Sequence, residues 1–308
     1  MIGLRKLGFL LLGVAACSSS VIFIRQSTTE PVLLSGLRLL VAVLVLSVPF
    51  VRAWKRHRDV YTWRSLARSV LPGALLAAHF VTWIQGARLT PAVNSSTIVN
   101  MVPVVTPLLL WAIAHERPNL REWLGTLLAL GGVLFMIGGD YRFAPENVTG
   151  DVLCFGSMLL FAAYLVFGRR NRDAQSLWLY LVPLYATAAL LCLAAAPFVT
   201  NGQAPSFDTK ELLLILGLGL VPTVIGHTAL NHAMKHLRGQ IVSVVNLGQP
   251  FFAGFLGYLF LAEVPAWFFY PASVMIVFGA VLAVWQPSRS ESSAVVGRDL
   301  KTGPKSLR

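Results

Sequence analysis

Residues 103–118 read PVVTPLLLWAIAHERP, and residues 250–265 read PFFAGFLGYLFLAEVP. Their punctuation coincides although few residues are identical. Pro103 is followed thirteen residues later by Glu116, as Pro250 is by Glu263. Gly132 lies sixteen residues past the first glutamate, and Gly279 sixteen past the second. A constant offset of 147 in a chain of 308 residues marks two related halves in tandem. Each stretch is apolar almost up to its glutamate, so the repeated unit is built for a membrane.

Composition agrees. Charged residues make up 12% of the chain and apolar ones 56%, with a mean hydropathy of +0.69. A soluble domain carries about 25% charged residues. The net charge of +12 would suit a nucleic-acid partner if it were clustered, but its distribution argues otherwise. Cys17, Cys154 and Cys192 stand alone in apolar stretches, with neither disulfide nor metal spacing, so no metal or cofactor is expected.

About 20 apolar residues cross the hydrocarbon core as a helix. The apolar runs are 7–24, 31–51, 69–87, 89–115 and 123–139, then 152–168, 174–200, 212–234, 239–262 and 264–288. Long runs without strand alternation predict an all-α membrane protein of ten transmembrane helices. Residues 1–140 form the first repeat and 150–286 the second, and the polar tail 287–308 is expected to be disordered. With the N-terminus inside, 20 of the 25 Lys and Arg fall on the cytoplasmic side. Only Arg25, Arg88, Arg142 and Lys210 fall outside, and Arg38 lies within a span. That bias places both termini in the cytoplasm and explains the basic excess without nucleic acid. Five spans per half is an odd number, so the halves enter the membrane in opposite senses. Glu116 is then expected at the inner surface and Glu263 at the outer one. Inverted halves occur in many secondary transporters, with the substrate near the midplane.

Two local motifs compete with this reading. Val14-Ala15-Ala16-Cys17 after Arg5-Lys6 resembles a lipoprotein leader, but apolar residues resume at 21–24, where a lipoprotein needs a polar tether. Cys17 therefore reads as part of the first span. Asn147-Val148-Thr149 matches a glycosylation sequon, which matters only in a eukaryotic secretory route.

Together these features resemble the ten-span EamA family of the drug/metabolite transporter superfamily. The resemblance covers about residues 7–286. It rests on Ser18-Ser19-Ser20 in the first span, Arg38 after Leu34-Ser35-Gly36-Leu37 in the second, the Pro-to-Glu segments of spans 4 and 9, and the glycine-bearing spans 5 and 10. Many relatives carry Trp-Gly before the serines, where this chain has Ala16-Cys17. The resemblance implies an inner-membrane transporter whose central cavity is framed mainly by spans 1, 3, 4, 6, 8 and 9. It also implies that metabolites, amino acids or drugs are carried, with export favoured.

Polar residues inside spans are costly and tend to be functional. Arg38 is the one fixed intramembrane charge. It reads either as a holder of a substrate carboxylate or as a structural lock that bonds helix carbonyls or snorkels outward. His79 and Trp83 lie four apart on span 3, and His227 and Asn231 four apart on span 8, at an offset of 148. Each pair shares a helix face. Ser96 and Asn100 on span 4, Asn246 and Gln249 on span 9, and Tyr164 on span 6 complete the expected cavity lining. Phe80, Trp83, Trp111, Phe251 and Phe252 are candidate apolar walls. A single intramembrane His, Asn or aromatic is often just packing, and it is the pairing across the repeat that favours a cavity. Glu116 and Glu263 read as structural, capping the helix that follows each. Gly125, Ala129 and Gly132, echoed by Ala272 and Gly279, form small-residue stripes for close packing within the chain or in a homodimer.

No Asp or Glu lies mid-span, so His79 and His227 are the candidate proton carriers. A Gly-x4-Gly-Lys loop is lacking, so no ATP site is expected. The reading is a secondary transporter of small amphipathic metabolites such as amino acids, in contact with the lipid bilayer and working by alternating access. Two alternatives share the architecture. One is a flippase for lipids or lipid-linked carriers. The other is an intramembrane lipid-modifying enzyme, which would require an acid-base or metal constellation; His57, His115, His232 and His236 do not form one by spacing.

Overall fold

The computed structural model describes residues 4–90, 92–137, 145–202, 207–252, 255–256 and 267–285. The described residues form helices and their connections, without strands. Six helical segments are individually long and apolar enough to cross a membrane: Arg5–Gln26, Pro31–His57, Trp63–Leu89, Pro145–Arg170, Leu177–Val199 and Thr209–His236. The other four crossings are shorter or broken.

The first half runs α1 (Leu4–Ser18) and α2 (Ser20–Gln26) as span 1, α3 (Pro31–His57) as span 2 and α4 (Trp63–Leu89) as span 3. Span 4 is α5 (Ala92–Asn100) with α6 (Val102–Ala114), and span 5 is α7 (Leu120–Ile137). In the second half α8 (Val148–Arg170) and α9 (Leu177–Val199) are spans 6 and 7. Span 8 is α10 (Thr209–Leu218), a π-helical segment (Gly219–His227) and α11 (Thr228–His236). Span 9 opens with α12 (Gly239–Asn246), and span 10 contains α13 (Phe269–Val284).

Helix ends follow local chemistry. Pro31 starts α3, and the Glu30 carboxylate accepts the Leu33 N–H at 2.9 Å. Asp208 caps α10 by accepting the Glu211 N–H at 2.7 Å. Asn119 and Glu122 form a reciprocal capping box at α7, at 3.0 and 2.8 Å.

The packing has a twofold pattern. Span 3 lies along span 6, and its counterpart, span 8, lies along span 1. Spans 2 and 7 pack together, as do spans 5 and 10. The last contact is self-complementary: a methyl group added at Gly125 would meet the Gly279 carbonyl at 2.5 Å, and one at Gly132 would meet that of Ala272 at 2.8 Å. Each contact is the other moved by 147 residues. The small-residue stripes therefore face each other within one chain. Of the two roles the sequence left open for these stripes, packing within the chain is the one seen here.

Several boundaries differ from the hydropathy reading. Residue 89 ends span 3 and does not begin span 4. Span 4 is interrupted at Met101 and span 9 at Leu247-Gly248, again 147 apart. Glu116 does not cap the helix that follows it. His115 takes a left-handed conformation (φ 53°) and turns the chain sharply. The Glu116 carboxylate then accepts Arg169 Nε at 2.6 Å and the backbone N–H of Gly239 at 2.9 Å. It caps the start of α12, in the other half of the molecule. Glu122, fully buried, takes the capping role at α7 and also pairs with Arg238. Glu263 lies outside the described residues.

Candidate functional site

The break in span 4, the break in span 9 and the π segment of span 8 converge on one central cavity. Its wall takes residues from six spans: Cys17 and Ser20 from span 1, His79, Phe80 and Trp83 from span 3, and Val99 and Asn100 from span 4. Span 6 gives Phe161, span 8 gives Pro222 and His227, and span 9 gives Gln249. A contiguous recess adds Ser96 and Pro250. These are the six spans that the resemblance implied.

Each polar group is positioned by a second residue. The reciprocal bonds between His79 and Ser157 are satisfied together when His79 Nδ1–H donates to the Ser157 carbonyl at 3.0 Å and the Ser157 hydroxyl donates to the His79 carbonyl at 3.0 Å. That arrangement leaves Nε2 as the acceptor of the ring. The ring stacks on Phe161, centroids 4.7 Å apart. His227 meets Phe80 edge-on at 5.0 Å, and its centroid lies 6.3 Å from that of His79. The two histidines expected to face one another across the halves do so. Asn100 donates to the Ser96 carbonyl at 2.7 Å, and Gln249 donates to Asn246 Oδ1 at 2.8 Å.

Not every expected residue reaches the wall. His79, Trp83, Ser96, Asn100, His227 and Gln249 line the cavity. Tyr164, Asn231 and Asn246 stand behind it. Asn231 donates to the Tyr164 hydroxyl and to the His227 carbonyl, the latter at 2.8 Å, so it braces the histidine's backbone. Asn246 is fully buried and holds Gln249 in place. Trp111 points outward, 56% exposed, and Phe251 and Phe252 line a separate apolar recess on the flank of the bundle.

Arg38 is fully buried and neither snorkels nor bonds a helix carbonyl. Its Nε donates to Thr223 Oγ1 at 2.9 Å, and its Cζ lies 3.9 Å from the centroid of the Phe80 ring. Thr223 is free to accept because its own hydroxyl donates to Leu218, five residues back, along the π turn. Both terminal nitrogens of Arg38 lack a protein partner among the described residues, as do Asn100 Oδ1 and His227 Nδ1. Buried orphans are rare in native proteins and call for a reason. Of these, Asn100 and His227 belong to the cavity wall and Arg38 lies behind Phe80, while other such atoms, Tyr180 Oη and Gln240 Oε1 among them, lie elsewhere.

Hydropathy and spacing missed Ser157, Thr223 and the cavity role of Cys17 and Ser20. The first two act through tertiary contacts that leave no periodic signal. The Asn119-x-x-Glu122 and Asp208-x-x-Glu211 boxes, by contrast, have readable capping spacing. Glu211 also accepts the Ser27, Thr28 and Thr29 hydroxyls at 2.8, 3.1 and 2.8 Å, tying the loop after span 1 to span 8.

The cavity measures about 40 Å³ and its recess about 20 Å³. That is room for a few waters, whereas ligand pockets run to about 300 Å³ and more. Toward the end of the bundle that carries Arg169 and Arg238, the two halves are in direct contact. Ser243 donates to Thr106 at 3.1 Å, Leu110 packs on Gly239, and Glu116 bonds across. Among the described residues no three His, Cys, Asp or Glu are grouped to hold a metal.

Comparison with known proteins supplies the context. The profile described as the EamA-like transporter family matches residues 5–138 and 148–285. An uncharacterized transporter of Bacillus subtilis, YcxC, is 24% identical over 84% of this chain and 85% of its own length. The aromatic amino acid exporter YddG of Ancylobacter novellus is 24% identical over 68% of this chain and 73% of its own. A solved crystal structure superposes with a TM-score of 0.74 at 20% identity, covering 91% of this chain and 96% of the other.

Proposed function

Because the chain belongs to the EamA-like transporter family, we propose that this multi-pass membrane transporter carries amphipathic metabolites, amino acids with aromatic or apolar side chains first. The observation that carries the reading is the composition of the wall. Aromatic faces (Phe80, Trp83, Phe161) surround two imidazoles and two amides, no carboxylate lines the cavity among the described residues, and Arg38 waits behind Phe80. An apolar side chain suits the rings, the amides suit an ammonium group, and the free guanidinium nitrogens suit a carboxylate. The likeness to YddG, named an aromatic amino acid exporter, favours the same class and the outward direction.

Transport proceeds, in this reading, by alternating access between the inverted halves. The α6–α12 contact is the gate on the cytoplasmic side, and the breaks at Met101 and at Leu247-Gly248 are the pivots. Proton coupling runs through His79 and His227. Both termini lie in the cytoplasm. A fluorescent-protein fusion at the C-terminus should therefore be bright, and a phosphatase fusion there inactive.

The deciding experiment is counterflow in proteoliposomes loaded with phenylalanine, tryptophan or leucine. Saturable uptake of labelled, chemically unchanged amino acid is expected. Translocation of lipid alone would replace this reading with the flippase, and chemical conversion of the solute would replace it with an enzyme.

A further inference from the structure

A second concavity opens on the flank of the bundle, between span 1 and spans 7 and 8. It is a cleft of about 660 Å³. Its trough is walled by Phe9, Leu12, Leu177 and Trp178, and its rim carries Arg5, Lys6 and His232. The charged rim is confined to the end where α1 begins, and the apolar trough continues along the span. Phe9 and Leu12 are 39% and 55% exposed, so the trough is open to its surroundings. Its floor is open too, since a methyl group added at Gly8 would meet nothing within 4 Å.

The rim has unspent charge. Arg5 and Lys6 are exposed and form no ion pair among the described residues. His232 stands edge-on to Phe9, centroids 5.2 Å apart, and His236 lies 4.4 Å from it. These two histidines, four residues apart, have no part in the central cavity. Nearby Lys235 donates to the Ala174 carbonyl, which fixes another positive charge at this end.

We propose that this cleft binds one anionic phospholipid of the surrounding leaflet, its phosphate on Arg5 and Lys6 and one acyl chain along Phe9, Leu12 and Leu177. The cleft's volume is in the range of ordinary ligand sites. Basic pockets between spans recognise anionic headgroups, and the buried chain supplies the apolar share of the affinity. A zwitterionic headgroup is disfavoured, because its ammonium would meet two cations. The leaflet is the cytoplasmic one if the orientation proposed above holds, but the binding itself does not depend on orientation. The site also adjoins the transport path: Thr228 lines the cleft, and His227, the next residue, lines the cavity.

The test uses the full-length protein in phosphatidylcholine nanodiscs containing increasing phosphatidylglycerol. Retained lipid is counted by native mass spectrometry and thermal stability is followed in parallel. One phosphatidylglycerol is expected to stay bound in preference to phosphatidylcholine and to raise the melting temperature. A basic group near an anionic lipid is worth about a factor of five. Arg5→Gln with Lys6→Gln should therefore weaken retention about twenty-five-fold. Gly8→Trp, whose Cβ enters open space, should occupy the trough and abolish retention while leaving the charges in place. Glycerol phosphate at millimolar concentration should neither stabilise nor compete, which separates a lipid from a free phosphate. Equal retention of the two lipids would overturn the proposal. So would loss on charge removal with full retention in Gly8→Trp, which would reduce the effect to attraction at the surface.

Discussion

At the scale of single residues, Arg38 separates two roles that its sequence position leaves open. A structural arginine satisfies its fork, whereas this one spends only Nε, on Thr223, and holds two bare nitrogens behind an aromatic ring. Arg38→Met puts a neutral side chain in place of the guanidinium over Phe80 and removes the charge. Folded yield should persist. Apparent affinity for a carboxylate-bearing substrate should fall about 10- to 100-fold, the worth of about 1.5–3 kcal/mol of charge-assisted hydrogen bonding. Unchanged affinity with collapsed yield would make Arg38 structural after all. His79→Ala and His227→Ala should each lower transport at least about tenfold, or about 1.4 kcal/mol, while expression is retained. Uptake measured across several pH values checks the proton role, because a coupled carrier should lose its pH dependence along with the imidazole.

At the scale of elements, much was legible in the sequence, and the reason is that those signals act along the chain. Apolar run length predicts the crossings, and the 147-residue offset predicts two related halves. The breaks were not legible as breaks, because a continuous apolar run hides them. Yet Pro103 stands in the first turn of α6, where proline starts a helix and does not bend one. Read so, it marks the interruption at Met101. The π segment of span 8 had one signal, Pro222 within it, which marks an irregular helix but not its type; the Thr223 bond to Leu218 five residues back is tertiary-context detail that spacing does not show. Glu116 was read as capping α7, but its target is α12 in the other half, because the turn at His115 sends it across the halves. Glu116 and Arg169 are 9% and 10% exposed, and removing one member of such a pair costs about 3 kcal/mol. In a background where Cys154 and Cys192 are alanine, Glu116→Gln should therefore favour opening of the α6–α12 gate. Labelling of Cys17 by an impermeant maleimide from the cytoplasmic side should then be at least about tenfold faster. An unchanged rate would mean that this contact is not the gate.

At the scale of the whole molecule, the central cavity and the small-residue seam are separated. Spans 1, 3, 4, 6, 8 and 9 surround the cavity, while spans 5 and 10 meet along their glycines away from it. A side chain at Gly279 would lie 2.6 Å from the Gly125 carbonyl and the Ala129 nitrogen, both backbone. Overpacking costs about 1–3 kcal/mol even where side chains can give way. Gly279→Leu should thus lose most folded protein, as judged by size-exclusion recovery. Gly131→Ala, on the facing helix α7, meets only the mobile end of Met275 at 3.3 Å, and should be neutral or stabilising.

That seam between spans 5 and 10 also speaks about descent. A contact in which Gly125 meets Gly279 and Gly132 meets Ala272 is what two copies of one five-span ancestor would form, had one been inserted each way up. The later fusion would have frozen an interface that once had to be found by diffusion. It would also have let the two copies diverge, one keeping Arg38 where the other now has Tyr185. A gene split in the loop before α8 and expressed as two halves should reassemble along this surface, and the half given the wrong orientation would find no partner.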